Sequence, residues 1–124
     1  MIKSCVIGLS KIGQIHCNNL KKIKNTSLSF VYDKNSILRK KTAKRFKCKT
    51  SNNFEEILKN KEIKLFIIAS PTSTHEYYLN KLIKYKKMIY CEKPISLNAS
   101  KLDVLVKRIK FNRIKICIGL NRRF

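Results

Sequence analysis

The chain has 124 residues, of which 44% are hydrophobic, and this is enough for one folded domain with a buried core and argues against a disordered chain. No apolar run approaches the roughly 20 residues needed to cross a bilayer, and the N-terminus lacks the apolar stretch of a signal peptide, so we expect a cytoplasmic protein without a membrane partner. The formal net charge is +22, from 29 basic and 7 acidic residues.

The excess of lysine has two explanations. A strongly basic protein can bind nucleic acid or an anionic membrane surface. Alternatively, Lys, Asn and Ile are residues of A+T-rich codons, and together they make up 51 of the 124 residues. The lysines are spread over the polar sides of nearly all predicted helices, with no arginine-rich arm, so we favour the compositional explanation and expect no specific nucleic-acid partner.

The cysteines give no sign of a disulfide framework or a metal site. Their number is odd, and no two of them have a C-x-x-C spacing. Three lie in apolar runs, where cysteine is an ordinary small core residue. We therefore expect no metal and five reduced thiols, at Cys5, Cys17, Cys48, Cys91 and Cys117.

The first half of the chain alternates between short apolar runs and helical spacings. Strands are predicted at residues 2–7, 28–32 and 48–50. Two helices are predicted by apolar residues at positions 12, 15, 20 and 23 and at positions 37, 38, 43 and 46. A short helix follows, with apolar positions 54, 57 and 58 and a cap at Asn52 or Asn53.

The second half continues the same alternation. Residues 65–69 are the most apolar run and predict a central parallel strand buried on both faces. Further strands are predicted at residues 88–91 and, at a sheet edge, at residues 115–118. One helix is predicted by apolar residues at positions 78, 79, 82 and 83. A second helix, capped by Asn98, is predicted by apolar residues at positions 102, 105, 106 and 109. Alternating strands and helices predict a single α/β domain over residues 1–119, with a doubly wound parallel sheet.

A glycine-containing loop joins the first predicted strand to the first helix. Gly8-Leu9-Ser10-Lys11-Ile12-Gly13 has the position of the Rossmann fingerprint G-x-G-x-x-G, in which a helix N-terminus receives a pyrophosphate. Ser10 replaces the middle glycine, so a Cβ stands where the backbone should approach the phosphates, although its hydroxyl can offer a hydrogen bond. Alone, this pattern is equally consistent with a simple strand-to-helix turn.

Asp33 strengthens the interpretation of this loop as a dinucleotide site. It ends the second predicted strand, 20 residues after Gly13. A carboxylate in this position accepts hydrogen bonds from the adenosine ribose hydroxyls and repels a 2′-phosphate, although the adjacent Lys34 can soften that discrimination. The alternative is a helix-capping role, because Asn35 and Ser36 follow.

Two further polar segments follow predicted strands and therefore lie at the same edge of the sheet. Pro71-Thr72-Ser73-Thr74-His75 can cap the next helix, or His75 can lie beside a cofactor or substrate. We expect His16, on the first helix, to be a surface or packing residue. Lys93, in Glu92-Lys93-Pro94, lies where partial removal from water would help a lysine exchange a proton with a hydroxyl, and Pro94 is a candidate for a cis peptide.

Several of these segments occur in an order that resembles the N-terminal half of the Gfo/Idh/MocA oxidoreductases, and within them the myo-inositol 2-dehydrogenase-like members. They are Gly8-x-x-x-x-Gly13, Val31-Tyr32-Asp33, the stretch from Ala69 to His75, the stretch from Glu92 to Leu97, and the stretch from Gly119 to Phe124. The resemblance covers essentially the whole chain, and its Glu-Lys-Pro element is more specific than the glycine loop.

The resemblance implies a Rossmann fold, NAD as cofactor and a polyol or sugar as substrate. It implies that Lys93 is the catalytic residue, which moves the proton of the substrate hydroxyl while hydride passes to the nicotinamide. The implied cofactor-binding residues are Gly8, Ser10, Lys11, Ile12, Gly13, Asp33, Ser70, Pro71, Thr72, His75 and Glu92, with Asn121 and Arg122 near the crevice floor.

Members of the resembled family are two or three times longer than this chain. Their second α/β domain supplies most of the substrate pocket, so residues 120–124 are expected to begin the connection to an absent domain. We therefore expect the chain to be inactive alone and to self-associate through surface that a second domain would cover. Two alternatives stay open: a nucleotide-binding module without catalysis, and a basic nucleic-acid-binding protein.

Overall fold

The structure, a computed structural model, describes residues 1–119, and positions 120–124 lie outside the described part. Its strands are β1 (Ile2–Ile7), β2 (Thr26–Tyr32), β3 (Lys49–Thr50), β4 (Ile63–Ile68), β5 (Met88–Glu92) and β6 (Ile116–Gly119). Its helices are α1 (Lys11–Lys22), α2 (Ser36–Phe46), α3 (Phe54–Lys59), α4 (His75–Lys84) and α5 (Ala99–Phe111), with a 3₁₀ turn at Thr72–Thr74.

The strands form one sheet in the order β3-β2-β1-β4-β5-β6, and all described pairings are parallel. This confirms the predicted α/β class and the doubly wound Rossmann arrangement. From β1 the chain builds the sheet to one side and then, from β4, to the other. Ligands of such sheets bind outside the carboxyl ends of the strands at this reversal point.

Successive side chains of the central strands pack into two hydrophobic cores, one on each face of the sheet. In β1, Ile7 packs toward α3, α4 and α5, whereas Val6 packs toward α1 and α2. In β4, Phe66 and Ile68 face the first group of helices and Ile67 faces the second. Because successive side chains of a strand point to opposite faces, strands this apolar must be covered on both sides.

The buried face of α1 differs from the one that the spacing predicted. Ile12, Ile15 and Ile23 are exposed, and the helix buries its face at Gly13, Cys17 and Leu20. The reason is steric: a Cβ at residue 13 would lie 1.9 Å from the carbonyl oxygen of Gly8. The helix must turn its glycine toward the loop, and this contact sets which residues face the sheet.

Asparagine side chains begin three of the helices. Asn35, Asn53 and Asn98 each accept a hydrogen bond from a backbone N–H in the first turn of α2, α3 and α5 respectively. Such a cap stabilises a helix by about 1 kcal/mol, and the caps at Asn53 and Asn98 confirm the sequence prediction. None of the helices within residues 1–119 has both the length and the apolar character needed to cross a membrane.

Candidate cofactor crevice

The loop after β1 is closed so tightly that its glycines are required. Gly8 has φ +86°, in the region that favours glycine, and its N–H donates to the Tyr32 carbonyl at 2.9 Å. A Cβ at Gly8 would lie 2.4 Å from the backbone nitrogen of Ser70. The ends of β1 and β4 therefore touch through backbone atoms, which places the glycine loop beside the segment that starts at Ser70.

The loop presents the N-terminus of α1 to solvent. Ser10 is the N-cap residue, is exposed, and makes no side-chain capping bond, so its hydroxyl is available to a ligand. Lys11 and Ile12 are exposed beside it, and the first turn carries no acidic residue. Free N–H groups, a positive dipole end and a neighbouring ammonium are features that suit a phosphate group.

Asp33 is bonded to the loop that it was predicted to assist. Its Oδ2 accepts from the Leu9 N–H at 2.9 Å, and its Oδ1 accepts from the Asn35 N–H at 2.9 Å. Asn35 is the N-cap of α2, so the helix-capping alternative for Asp33 does not hold. Each carboxylate oxygen has two lone pairs, so Asp33 can bind the loop and still accept from hydroxyl groups.

Asp33 and Ser70 face each other across a cleft between the ends of β2 and β4. The cleft has a volume of about 180 Å³ and is lined by Gly8, Asp33, Lys34, Ser70, Pro71, Thr74 and Tyr78. The Thr74 hydroxyl donates to the Ser70 hydroxyl at 2.7 Å, which fixes the start of the 3₁₀ turn that contains the half-buried Thr72. Burial raises the pKa of the Tyr78 phenol, so this group is neutral and contributes apolar surface. The residues fit the adenosine part of a dinucleotide.

His75 is enclosed rather than open to the crevice. This residue is only 1% exposed. Its Nε2 lies 2.9 Å from the Ser70 carbonyl oxygen, and its Nδ1 lies 2.7 Å from the Pro94 carbonyl oxygen. A neutral imidazole has one N–H and donates to one of the two carbonyls. The ring thus lies between the segments after β4 and β5, bonded to one and in contact with the other, and its predicted place beside a cofactor stays a prediction.

Lys93 follows β5 at the same edge of the sheet, and the Lys93–Pro94 peptide is cis, as predicted. Its side chain is exposed, so the partial removal from water that was expected is not provided by residues 1–119. Glu92, immediately before it, is half-buried. The catalytic role of Lys93 and the cofactor contact of Glu92 stay predictions, and the predicted residues Asn121 and Arg122 lie outside the described part.

His16 packs against the Tyr90 ring, which agrees with the prediction of a surface or packing residue, and it also contacts Glu92 at the end of β5. Its Nε2 lies 2.6 Å from Oε1 of Glu92, and the side chains of His16 and Glu92 are 15% and 20% exposed. The signal in the sequence was its position one helical turn after Gly13. Its partner, 76 residues away, was not evident because only the parallel sheet brings α1 and the end of β5 together.

Comparisons with known proteins agree with this geometry. The model of the Gfo/Idh/MocA oxidoreductase family, NAD-binding Rossmann fold, matches residues 2–119. Myo-inositol 2-dehydrogenase of Thermotoga maritima is 33% identical over 120 residues, which are 96% of this chain and 36% of that protein. Inositol 2-dehydrogenase of Rhizobium meliloti is 27% identical over 119 residues, again 96% and 36%.

A solved structure shows the same fold. Scyllo-inositol dehydrogenase from Lactobacillus casei, with bound NAD(H) and scyllo-inositol, superposes with a TM-score of 0.92 at 24% identity, over 100% of this chain and 37% of that one. The chain thus spans about 36% of the length of the curated relatives it matches. From the match over residues 2–119, the chain belongs to the Gfo/Idh/MocA oxidoreductases, in the NAD-binding Rossmann domain of that family.

Proposed function

We propose that this chain binds NAD(H) and forms the cofactor-binding part of a dehydrogenase that oxidises a hydroxyl of a polyol or sugar. The observation that carries the proposal is the Asp33 carboxylate, held by the Leu9 N–H of the glycine loop at the edge of a preformed cleft. The substrate class rests on the inositol dehydrogenases among the relatives.

Binding depends on groups that are already in place before the cofactor arrives. The N-terminus of α1, with Ser10 and Lys11, holds the pyrophosphate. Asp33 accepts from the ribose hydroxyls with the lone pairs that its bonds to Leu9 and Asn35 leave free. Its charge disfavours a 2′-phosphate at the same point, so NAD(H) is bound in preference to NADP(H).

The chemistry needs a hydride acceptor and a group that handles a proton. Bound NAD⁺ supplies the hydride acceptor, and Lys93 exchanges the proton of the substrate hydroxyl. Because Lys93 is exposed, a further protein surface has to cover it, orient the substrate and exclude water. We propose that this surface corresponds to the remaining length of the relatives, and that residues 1–124 alone do not turn over substrate.

Calorimetry and a reconstitution assay test the two parts separately. NAD⁺ should bind to the purified 124-residue chain, whereas NADH formation from inositols should be undetectable. Addition or fusion of the remaining part of the Thermotoga maritima relative should produce turnover, which Lys93→Ala removes and the exposed control Lys107→Ala, on α5, leaves intact. Turnover by the isolated chain that Lys93→Ala abolishes would refute the proposed inactivity, and turnover independent of Lys93 would refute its catalytic role.

The two alternatives make different predictions in the same experiments. A nucleotide-binding module binds NAD⁺ but gains no activity on reconstitution. A nucleic-acid-binding protein binds polyanions through its lysines and shows no selective binding of NAD⁺. Self-association stays a prediction, which analytical ultracentrifugation tests.

A further inference from the structure

We infer that His16 is a positioning residue for Lys93, acting through its hydrogen bond to Glu92. This inference rests on the proposed cofactor-binding function of the crevice. In this role a side chain on α1 fixes the segment 92–94, which begins at the end of β5. The strand that precedes α1 is β1, and β5 lies two positions away from it in the sheet.

The pair is short and shielded from water. A carboxylate only accepts hydrogen bonds, so the N–H at Nε2 of His16 donates to Oε1 of Glu92, at 2.6 Å. The side chains are 15% and 20% exposed, so water competes little for either partner. Hydrogen bonds to an ionised group are stronger than those between neutral groups, particularly where the surroundings are poor in water.

Neighbours hold both members of the pair in place. The Tyr90 ring packs edge-on against the His16 ring, with centroids 5.2 Å apart and planes at 63°. Gly119, at the end of β6, leaves the space that these groups need, because a Cβ there would lie 2.4 Å from the Tyr90 hydroxyl oxygen and 3.1 Å from Oε2 of Glu92. The Glu92 carboxylate is therefore confined by α1 on one side and β6 on the other.

The other end of the segment lies in contact with the second histidine of the chain. Nδ1 of His75 lies 2.7 Å from the carbonyl oxygen of Pro94. The only two histidines of the sequence thus contact the two residues that flank Lys93, while the Lys93 side chain itself is exposed. A flexible lysine is useful in a site only if its backbone is fixed, and the two histidine contacts provide that constraint.

The position of the pair predicts which part of a cofactor it affects. The two halves of a Rossmann sheet each bind one mononucleotide, and Asp33 lies on the β1–β3 side, the adenosine half. Glu92 and Lys93 follow β5, on the opposite side of the reversal point, the nicotinamide half. Loss of the His16 contact should therefore displace Glu92 and the backbone of residues 92–94, rather than remove a contact of the Lys93 ammonium, and weaken binding of NAD⁺. Binding of ADP, which fills only the adenosine half, should stay unchanged.

Calorimetric titration of the full 124-residue chain with NAD⁺ and with ADP tests the inference. His16→Leu should weaken NAD⁺ binding about tenfold and change ADP binding less than about twofold. His16→Gln, which keeps a side-chain N–H donor, should recover part of the loss. The matched control is Asn18→Leu, an exposed position of α1, which should bind both ligands as the original chain does. Equal losses for NAD⁺ and ADP, or no loss for NAD⁺, would overturn the inference.

Hydrogen–deuterium exchange without nucleotide gives a readout that does not depend on the cofactor proposal. In His16→Leu, and also in Glu92→Gln, exchange should become faster in the peptide that covers residues 92–98 and stay unchanged in β1 and β4. Unchanged exchange at residues 92–98 in folded variants contradicts the positioning role. Failure of the original chain to bind NAD⁺ would instead refute the proposed function and leave this exchange result to decide the positioning role.

Discussion

The adenosine half and the nicotinamide half of the crevice differ in how much of each lies within residues 1–119. In the adenosine half, the carboxylate proposed to contact the ribose is already held within the site, because Asp33 accepts a hydrogen bond from the Leu9 N–H. In the nicotinamide half, the backbone around Lys93 is held by His16 and His75, but the lysine side chain is exposed. We therefore expect this domain to hold the adenosine half of the cofactor and to supply only one wall of a reaction site.

Gly13→Ala should have the largest effect, because it breaks the adenosine half. Alanine normally stabilises a helix interior by about 1 kcal/mol relative to glycine. Here its Cβ would lie 1.9 Å from the Gly8 carbonyl oxygen, which is backbone and cannot move aside locally. We expect a net destabilisation of about 1–3 kcal/mol in urea unfolding and no detectable binding of NAD⁺ or ADP. Ile15→Ala, at an exposed position of the same helix, is the control, and retained binding in Gly13→Ala would contradict this account of the loop.

Thiol labelling should show that the core beneath the crevice is equally closed on both faces of the sheet. Burial raises the pKa of Cys17, in the core on the α1 face, to about 12. Burial, followed by the nearby Glu92 carboxylate, raises the pKa of Cys91, in the core on the opposite face, to about 12. Cys117 is the exposed cysteine. At a pH of about 8, a disulfide reagent should label Cys117 at least about a hundredfold faster than Cys17 or Cys91.

The pH dependence of labelling follows from these pKa values. Below its pKa a thiol gains about tenfold in thiolate for each unit of pH, so labelling of Cys17 and Cys91 should accelerate together as the pH rises toward 12. Mass spectrometry of the labelled peptides measures each site. Fast labelling of Cys91 alone would show that the reagent enters the core beneath Lys93. The nicotinamide half would then be open in its core as well as at its surface.

Cofactor preference should follow the charge of the adenosine half. A 2′-phosphate placed at Asp33 meets a like charge and loses a hydrogen bond, so NAD⁺ should bind more tightly than NADP⁺ by about 1–3 kcal/mol, which is about 5- to 150-fold. Lys34→Ala should widen the preference, because it removes the adjacent positive charge, and Asp33→Asn should narrow it. Equal or tighter binding of NADP⁺ by the unchanged chain in calorimetry would refute this role of Asp33.

The fold was predictable from sequence where local pattern decides the outcome, and the site only in part. Short apolar runs such as residues 65–69 predict buried strands, and alternation with helices fixes a parallel sheet. The inward face of α1 was not predictable from apolar spacing, because the contact between Gly13 and the Gly8 carbonyl overrides it. The contact of His16 with Glu92 was not predictable either, since it joins residues that only the completed sheet brings together.

Lys93→Ala should have the smallest effect on cofactor binding, and this makes it the sharpest test of the contrast between the halves. The Lys93 side chain is exposed, and the adjacent Glu92 and Pro94 are held by contacts that do not involve it. The substitution should therefore change the affinity for NAD⁺ by less than about twofold, because an exposed charge contributes little to stability or binding. Calorimetry on Lys93→Ala and on the exposed control Lys107→Ala should give the same dissociation constant. A loss of tenfold or more in Lys93→Ala alone would show that the ammonium already contacts the cofactor within this domain, and that the nicotinamide half is more complete than its exposure indicates.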